Sequence, residues 1–123
     1  MINLSAYQKN DVRRWRAVNF PDYTLLGQCM GMTAEAGNAG QHVLKMEDGR
    51  VDKEDHINGA KDDIGDMLIY AMGACDKLDT TLEECFIHAW SHVKDREHGK
   101  WHEKERNAPI GILDERQSGA EGL

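Results

Sequence analysis

The chain has 123 residues, 40% of them hydrophobic, and a formal net charge of −7, which together are typical of one folded domain. The negative charge argues against general nucleic-acid binding, because the chain has no excess of basic residues to neutralise phosphates. No apolar run is long enough to span a bilayer, so we expect neither a nucleic acid nor a membrane as a partner.

The cysteines indicate the redox environment. Cys29, Cys75 and Cys85 are odd in number, widely spaced and form no Cys-x-x-Cys motif. This pattern predicts reduced thiols in a cytoplasmic protein. The first residues carry no signal-peptide pattern, which favours the same location.

The first predicted helix begins at Ser5, because Ser5 and Gln8 have the spacing of a capping box. It ends at the segment Asn19-Phe20-Pro21-Asp22, since proline disfavours a helical conformation in the residue before it. Three arginines make this helix locally basic, namely Arg13, Arg14 and Arg16. They form either a solvated charged face or a contact to an anionic ligand, and the pattern leaves both interpretations open.

A second helix is predicted over about residues 25–45, with Thr24 or Asp22 as its N-cap. Apolar and small residues recur along one face at spacings of three and four, namely Leu26, Met30, Thr33, Gly37, Gly40 and Leu44. Glycine inside a helix costs roughly 1 kcal/mol relative to alanine. We therefore expect another backbone to approach closely at Gly37 and Gly40.

Three polar residues follow one another along this second helix. Glu35 and Asn38 lie one turn apart and share a face. His42 comes four residues after Asn38. We interpret His42 as a structural residue rather than a ligand, because a lone histidine at such a position is usually satisfied within the fold.

The third predicted helix begins at Asp52 or a neighbour and ends at Leu78. Asp62, Asp63 and Asp66 stand beside its apolar stripe, which consists of Ile64, Met67, Leu68 and Ala71. Like charges one turn apart repel each other. The acidic trio therefore indicates either a cation site or a solvated edge.

A fourth helix begins at Thr80 or Thr81, because each has a glutamate three residues later. Its predicted buried stripe consists of Leu82, Cys85, Phe86, Ala89, Trp90 and Val93. His88 and His92 are one turn apart but lack a third ligand, so we do not predict a zinc site there.

Helical periodicity fades after about Trp101, which predicts a helical domain over residues 1–101 and a C-terminal arm or disordered tail over residues 102–123. Four helices with short connections predict an all-α fold, either an antiparallel four-helix bundle or part of a larger interlocked bundle. Carboxylates on neighbouring helices suit Mg²⁺ or Mn²⁺. A di-iron site would need Glu-x-x-His, and the third residue after Glu35 is Asn38.

A series of short segments carries the strongest functional signal. In chain order they are Leu25-Leu26-Gly27, Glu35-Ala-Gly-Asn38, Lys61-Asp-Asp-Ile-Gly-Asp66-Met-Leu-Ile-Tyr70, Leu82-Glu-Glu84 and Ala89-Trp90-Ser-His-Val93-Lys94-Asp-Arg96. Their order and spacing, over about residues 12–98, resemble the MazG-like all-α nucleoside triphosphate pyrophosphohydrolases. The element Asn19-Phe20-Pro21 resembles the single-domain phage and bacterial members.

The resemblance implies Mg²⁺-dependent hydrolysis of a (deoxy)nucleoside triphosphate at the α–β phosphoanhydride, which gives the monophosphate and pyrophosphate. Mn²⁺ is the alternative metal, and a homodimer or homotetramer is the implied assembly. The resemblance also implies that Glu35, Asp63 and Asp66 are catalytic metal ligands and that Asn38 is a further ligand. Asp62 either takes the place of Asp63 as a metal ligand or lies in the outer coordination sphere.

The same resemblance suggests the substrate contacts. Asn19 and Phe20 are expected beside the base, and the candidates for phosphate contacts are Lys45, Arg50, Lys94 and Arg96. Two positions depart from the family pattern, because Asn38 replaces a glutamate and Ala34 replaces a common acid. An amide oxygen can coordinate a cation, but it brings no charge and cannot act as a general base. A catalytically weak or inactive nucleotide-binding relative is therefore the alternative, and a purely structural helical oligomer is the third hypothesis.

Overall fold

The computed structural model describes residues 2–49 and 52–95, and this part of the chain contains helices and no strand. Helix α1 comprises Leu4–Ala6, a π-helical stretch Tyr7–Val12 and Arg13–Asn19. Helices α2, α3 and α4 are Leu25–Glu47, Lys53–Lys77 and Leu82–Val93. The all-α prediction is confirmed.

The chain divides into two compact units, Met1–Cys85 and Phe86–Leu123, and α4 crosses the division. The boundary predicted at residue 101 and the predicted tail lie outside the described residues. The four-helix bundle stays a prediction, because the contacts that the structure describes between helices join α1, α2, α3 and the start of α4.

Side-chain caps fix the starts of three helices. Thr24 Oγ1 accepts a hydrogen bond of 3.0 Å from the amide of Gly27, which selects Thr24 over Asp22 as the cap of α2. Asp52 Oδ1 accepts one of 2.9 Å at the start of α3. Thr81 Oγ1 accepts one of 3.2 Å from the third amide of α4. These local predictions are confirmed.

The capping box predicted at Ser5 is wrong. Helix α1 begins at Leu4, and Asn3 is its N-cap, because Asn3 Oδ1 accepts a hydrogen bond of 3.0 Å from the amide of Ala6. Ser5 Oγ instead donates a hydrogen bond of 3.3 Å to a carboxylate oxygen of Glu83. An asparagine two residues upstream therefore supplies the cap that we had assigned to the serine.

Asp76 of α3 gathers polar side chains from α1. Gln8 is fully buried, and its Nε2 donates hydrogen bonds of 2.9 Å to Asp76 Oδ1 and to the Thr80 carbonyl. Arg13 donates to the same carboxylate oxygen at 2.7 Å, a bond that raises the pKa of Arg13. Arg16 is 2% exposed and lies 3.6 Å from Asp76 Oδ2, so the solvated-face interpretation is wrong for Arg16.

Helices α2 and α3 pack against each other as an antiparallel hairpin. Near one end Gln28 lies against Gly73, and near the other His42 lies against Gly59. Midway between these contacts, Glu35 of α2 faces the acidic part of α3. The buried centre of this unit is the C-terminal half of α3, where residues 71–75 are all buried.

The predicted apolar face of α2 is exposed in the single chain. Leu26 is 71% exposed and Met30 is 59% exposed. A Cβ atom placed on Gly37 or Gly40 would meet nothing within 4 Å, so the expected close approach is absent within the described chain. Helix α4 contains no buried residue either, and its predicted buried stripe is therefore wrong for the single chain.

Candidate functional site

Three carboxylates meet between α2 and α3. One oxygen atom each of Glu35, Asp63 and Asp66 lies within 4.8 Å of the other two. Asp63 and Asp66 share a face of α3 because residues three apart on a helix are neighbours. The antiparallel packing of the two helices adds Glu35 from the opposite side.

The proximity of these acids changes the proton affinity of Glu35. Partial burial and the negative charges of Asp66 and Asp63 raise the pKa of Glu35. A hydrogen bond from Asn38 acts in the opposite direction and lowers it. The cluster therefore favours a bound cation or a bound proton at Glu35, because either reduces the repulsion.

The donor set fits a hard divalent cation. All three groups offer carboxylate oxygen, which suits Mg²⁺ or Mn²⁺ better than zinc. Asp63 Oδ2 is buried and makes no hydrogen bond to the described residues, so this oxygen retains its capacity to coordinate. The residues present therefore fit the metal that the sequence resemblance implies.

The remaining predicted metal ligands and phosphate contacts are distributed more widely. Asn38 is exposed beside Glu35, whereas Asp62 is exposed and is not part of the carboxylate cluster. Lys45 lies in the last turn of α2, about 15 Å along the helix axis from Glu35. Lys94 belongs to the second unit, and the other two candidates, Arg50 and Arg96, lie outside the described residues.

A cavity of about 740 Å³ adjoins the carboxylate cluster, and Glu35 and Asp66 form part of its wall. Four aromatic residues also line it, namely Trp15, Phe20, Tyr23 and Tyr70. The rings of Trp15 and Phe20 meet edge to face with their centroids 5.6 Å apart. The wall of the cavity therefore combines two carboxylates of the cluster with aromatic side chains.

Asn19 and Phe20, the two residues predicted beside the base, differ in whether they line this cavity. Phe20 lines it, as expected for a base contact. Asn19 is not among the lining residues, and its side-chain amide instead donates a hydrogen bond of 2.9 Å to the Trp15 carbonyl. Arg16 and Gln28 add buried polar groups to the wall.

The contacts of His42 with His56 and Asp63 are not predictable from the sequence. The Nε2 atom of His42 lies 3.3 Å from Asp63 Oδ2, and its Nδ1 atom lies 2.9 Å from Nδ1 of His56. Neither neighbour is close to His42 in the sequence. The contacts arise from the alignment of α2 with α3, and spacing within one helix carries no signal for them.

Comparison with protein-family models, curated protein sequences and solved structures finds no match. No helix in residues 2–49 and 52–95 is both long enough and apolar enough to cross a membrane. Function must therefore be inferred from the chemistry of the carboxylate cluster and its adjoining cavity.

Proposed function

We propose that this protein hydrolyses a nucleoside or deoxynucleoside triphosphate at the α–β phosphoanhydride, with Mg²⁺ as cofactor, to give the monophosphate and pyrophosphate. The observation that carries the proposal is the continuity of the carboxylate cluster with the aromatic cavity. This combination agrees with the family that the sequence resembles.

The two kinds of side chain that line the cavity match the two parts of a nucleotide. A hard cation bound through carboxylates usually completes its coordination with water and substrate phosphates. Aromatic rings stack on any nucleobase, with a contribution of about 1–3 kcal/mol per base. Trp15 and Phe20 are both half exposed, which leaves their rings free for such stacking.

Each group at the site would have its own role in the reaction. Glu35, Asp63 and Asp66 would hold the cation beside the phosphates. Bound Mg²⁺ supplies charge neutralisation and makes a bound water more acidic. The bound cation, or a carboxylate oxygen of the cluster that does not coordinate it, would activate the attacking water. Since the protein forms no covalent bond, positioning and electrostatics would provide most of the rate enhancement.

A homo-oligomer, either a dimer or a tetramer, is part of the same proposal. The exposed face of α2 defined by Leu26, Met30, Thr33, Gly37, Gly40 and Leu44 lies on the side of the helix away from α3. Helix–helix interfaces need apolar surface and small residues that permit close approach. This face offers both, and no described residue lies within 4 Å of a Cβ atom placed on Gly37 or Gly40. The uncovered face supports a second copy as its partner.

Pyrophosphate release from a panel of ribo- and deoxyribonucleoside triphosphates, with and without Mg²⁺, tests the enzymatic proposal. Asp66→Asn should abolish metal-dependent release, because it removes a charge from the cluster. Asp55→Asn is the matched control, since Asp55 is an exposed aspartate of the same helix outside the cluster. Absence of release from every nucleotide, or equal loss in both variants, would contradict the proposal.

A nucleotide-binding relative with weak or no turnover is the second candidate, and Asn38 favours it. This amide lies beside Glu35 at a position where the resemblance leads us to expect a carboxylate. The second candidate predicts nucleotide-dependent stabilisation without pyrophosphate release. Asn38→Glu should then raise turnover if the site is only attenuated, and an unchanged rate would count against attenuation. A structural oligomer would show no stabilisation by Mg²⁺ or nucleotide.

A further inference from the structure

The His42 ring lies between His56 and Asp63 and packs against Gly59. The two Nδ1 atoms of the histidines are 2.9 Å apart, and His42 Nε2 lies 3.3 Å from Asp63 Oδ2. A Cβ atom on Gly59 would lie between 2.5 and 2.9 Å from three atoms of the His42 ring. The absence of a side chain at Gly59 therefore permits the ring to occupy this position.

The pairing of the two rings restricts where their protons lie. Two ring nitrogens at hydrogen-bond distance need one proton between them. If His56 donates it, a neutral His42 carries its own proton on Nε2 and presents an N–H group to Asp63. If His42 donates it, a neutral His42 presents a lone pair to the carboxylate, which is unfavourable. Between the two arrangements with a neutral His42, the contacts favour Nδ1–H on His56 and Nε2–H on His42.

We propose that His42 is a positioning residue for Asp63: oriented by His56 and seated on Gly59, it holds the carboxylate in place for a divalent cation. The inference rests on the proposed function for its metal. Asp63 Oδ2 is buried without a hydrogen bond to any residue that the structure describes, and His42 Nε2 lies 3.3 Å away, close enough to attract it although the hydrogen-bond geometry is incomplete.

Groups that orient metal-binding side chains typically change metal affinity 10–100-fold when they are removed. We therefore expect His42→Ala to weaken Mn²⁺ binding by about 10–100-fold. His42→Gln should lose less, because its amide can still donate a hydrogen bond from near the position of Nε2. His56→Ala should cause an intermediate loss, since the His42 ring would then lack its second contact.

The experiment is Mn²⁺ binding to the full chain, measured by electron paramagnetic resonance and by calorimetry. His88→Ala is the matched control, because His88 is an exposed histidine of the second unit. Circular dichroism checks that each variant is folded, and Asp66→Asn checks that the ion occupies the carboxylate cluster. The ¹⁵N shifts of the imidazoles of the metal-free protein report the two tautomers directly.

Graded losses in His42→Ala and His42→Gln, together with an Nε2–H tautomer of His42, support the proposal. If Mn²⁺ binds the wild type and His42→Ala within twofold of each other, the positioning role is overturned while the metal site stands. If the wild type binds no Mn²⁺, both the positioning role and the proposed function fail. If binding depends on His42 but no nucleotide is hydrolysed, only the proposed function fails.

Discussion

Gln28 of α2 lies directly over Gly73 of α3. Arg16 of α1 reaches the same glycine. A Cβ atom on Gly73 would overlap Gln28 Oε1 and lie 2.7 Å from Arg16 Nε. Gln28 is 8% exposed and Arg16 is 2% exposed, so both side chains are enclosed by their surroundings. The absence of a side chain at Gly73 therefore sets the distance between α1, α2 and α3 at this level.

We expect Gly73→Ala to lower the free energy of unfolding by about 1–3 kcal/mol, since overpacking of a buried site costs about this much. The higher helix propensity of alanine, worth up to about 1 kcal/mol, offsets part of the loss. Urea denaturation measures the difference. Gly65→Ala in the same helix is the control, because its Cβ would meet no atom of the described residues within 4 Å. Equal stability of the two variants would contradict the packing argument.

The raised pKa of Glu35 predicts a pH-dependent stabilisation by metal. Without metal, Glu35 binds its proton more tightly in the folded chain than in the unfolded chain. Its contribution to stability is therefore complete below the pKa of the unfolded chain and is lost as the pH rises through the raised folded pKa. A cation competes with this proton. Saturating Mn²⁺ should therefore raise Tm more near pH 7 than near pH 4, where an ordinary carboxyl group titrates.

Differential scanning fluorimetry over a pH series checks this expectation. Asp66→Asn, which weakens the same cluster, should reduce the Mn²⁺-dependent rise in Tm at neutral pH. A rise that is the same at every pH would show that the ion binds elsewhere or that Glu35 does not titrate in this range.

The exposed face of α2 predicts that assembly is sensitive to one glycine. Gly37→Arg should shift the protein toward the monomer, because a long charged side chain would prevent close approach of a second copy. Asn10→Arg is the matched control, since it adds the same charge at an exposed residue of α1, outside this face. Sedimentation velocity measures the oligomeric state. Identical distributions for the two variants would exclude this face as the interface.

Cys75 and Cys85 predict an intramolecular disulfide under oxidation, because their Sγ atoms are 3.8 Å apart. Burial raises the pKa of Cys75 to about 12, so exposed Cys85 is the thiol that peroxide should oxidise to a sulfenic acid. Attack by the Cys75 sulfur would then form the disulfide and release water.

Peptide mass spectrometry should find the Cys75–Cys85 pair with the loss of two hydrogen atoms. Cys29 is the internal control, because it is exposed and no cysteine lies beside it in the described chain. Cys85→Ser should prevent formation of the pair. Exclusive oxidation of Cys29, or intermolecular crosslinks alone, would contradict the prediction.

Local chemistry made much of the fold predictable. The hydroxyls of Thr24 and Thr81 and the carboxylate of Asp52 cap the helices that they were expected to cap, because a cap depends only on the next few residues. At Ser5 the same rule failed, since Asn3 was a competing cap and Gln8 was drawn into a buried network instead.

The site was predictable only in part. The face shared by Asp63 and Asp66 follows from helical spacing, and the resemblance supplied Glu35 as the third acid. The place of His42 depends on which residues of α3 lie opposite it, and that alignment is a property of the packed pair of helices. The outward direction of the α2 stripe was equally unpredictable, because periodicity shows that a face is apolar but not what covers it.

The π-helical stretch of α1 has a consequence for sequence alignment. In a regular α-helix, Gln8 and Arg16 would point about 80° apart, because eight residues exceed two full turns. Bonds between residues five apart place more residues in each turn, which brings both side chains toward Asp76. Relatives with a regular first helix should therefore align to this chain only with a one-residue gap within Tyr7–Val12. Such a gap would mark the insertion that placed two polar side chains in one buried layer.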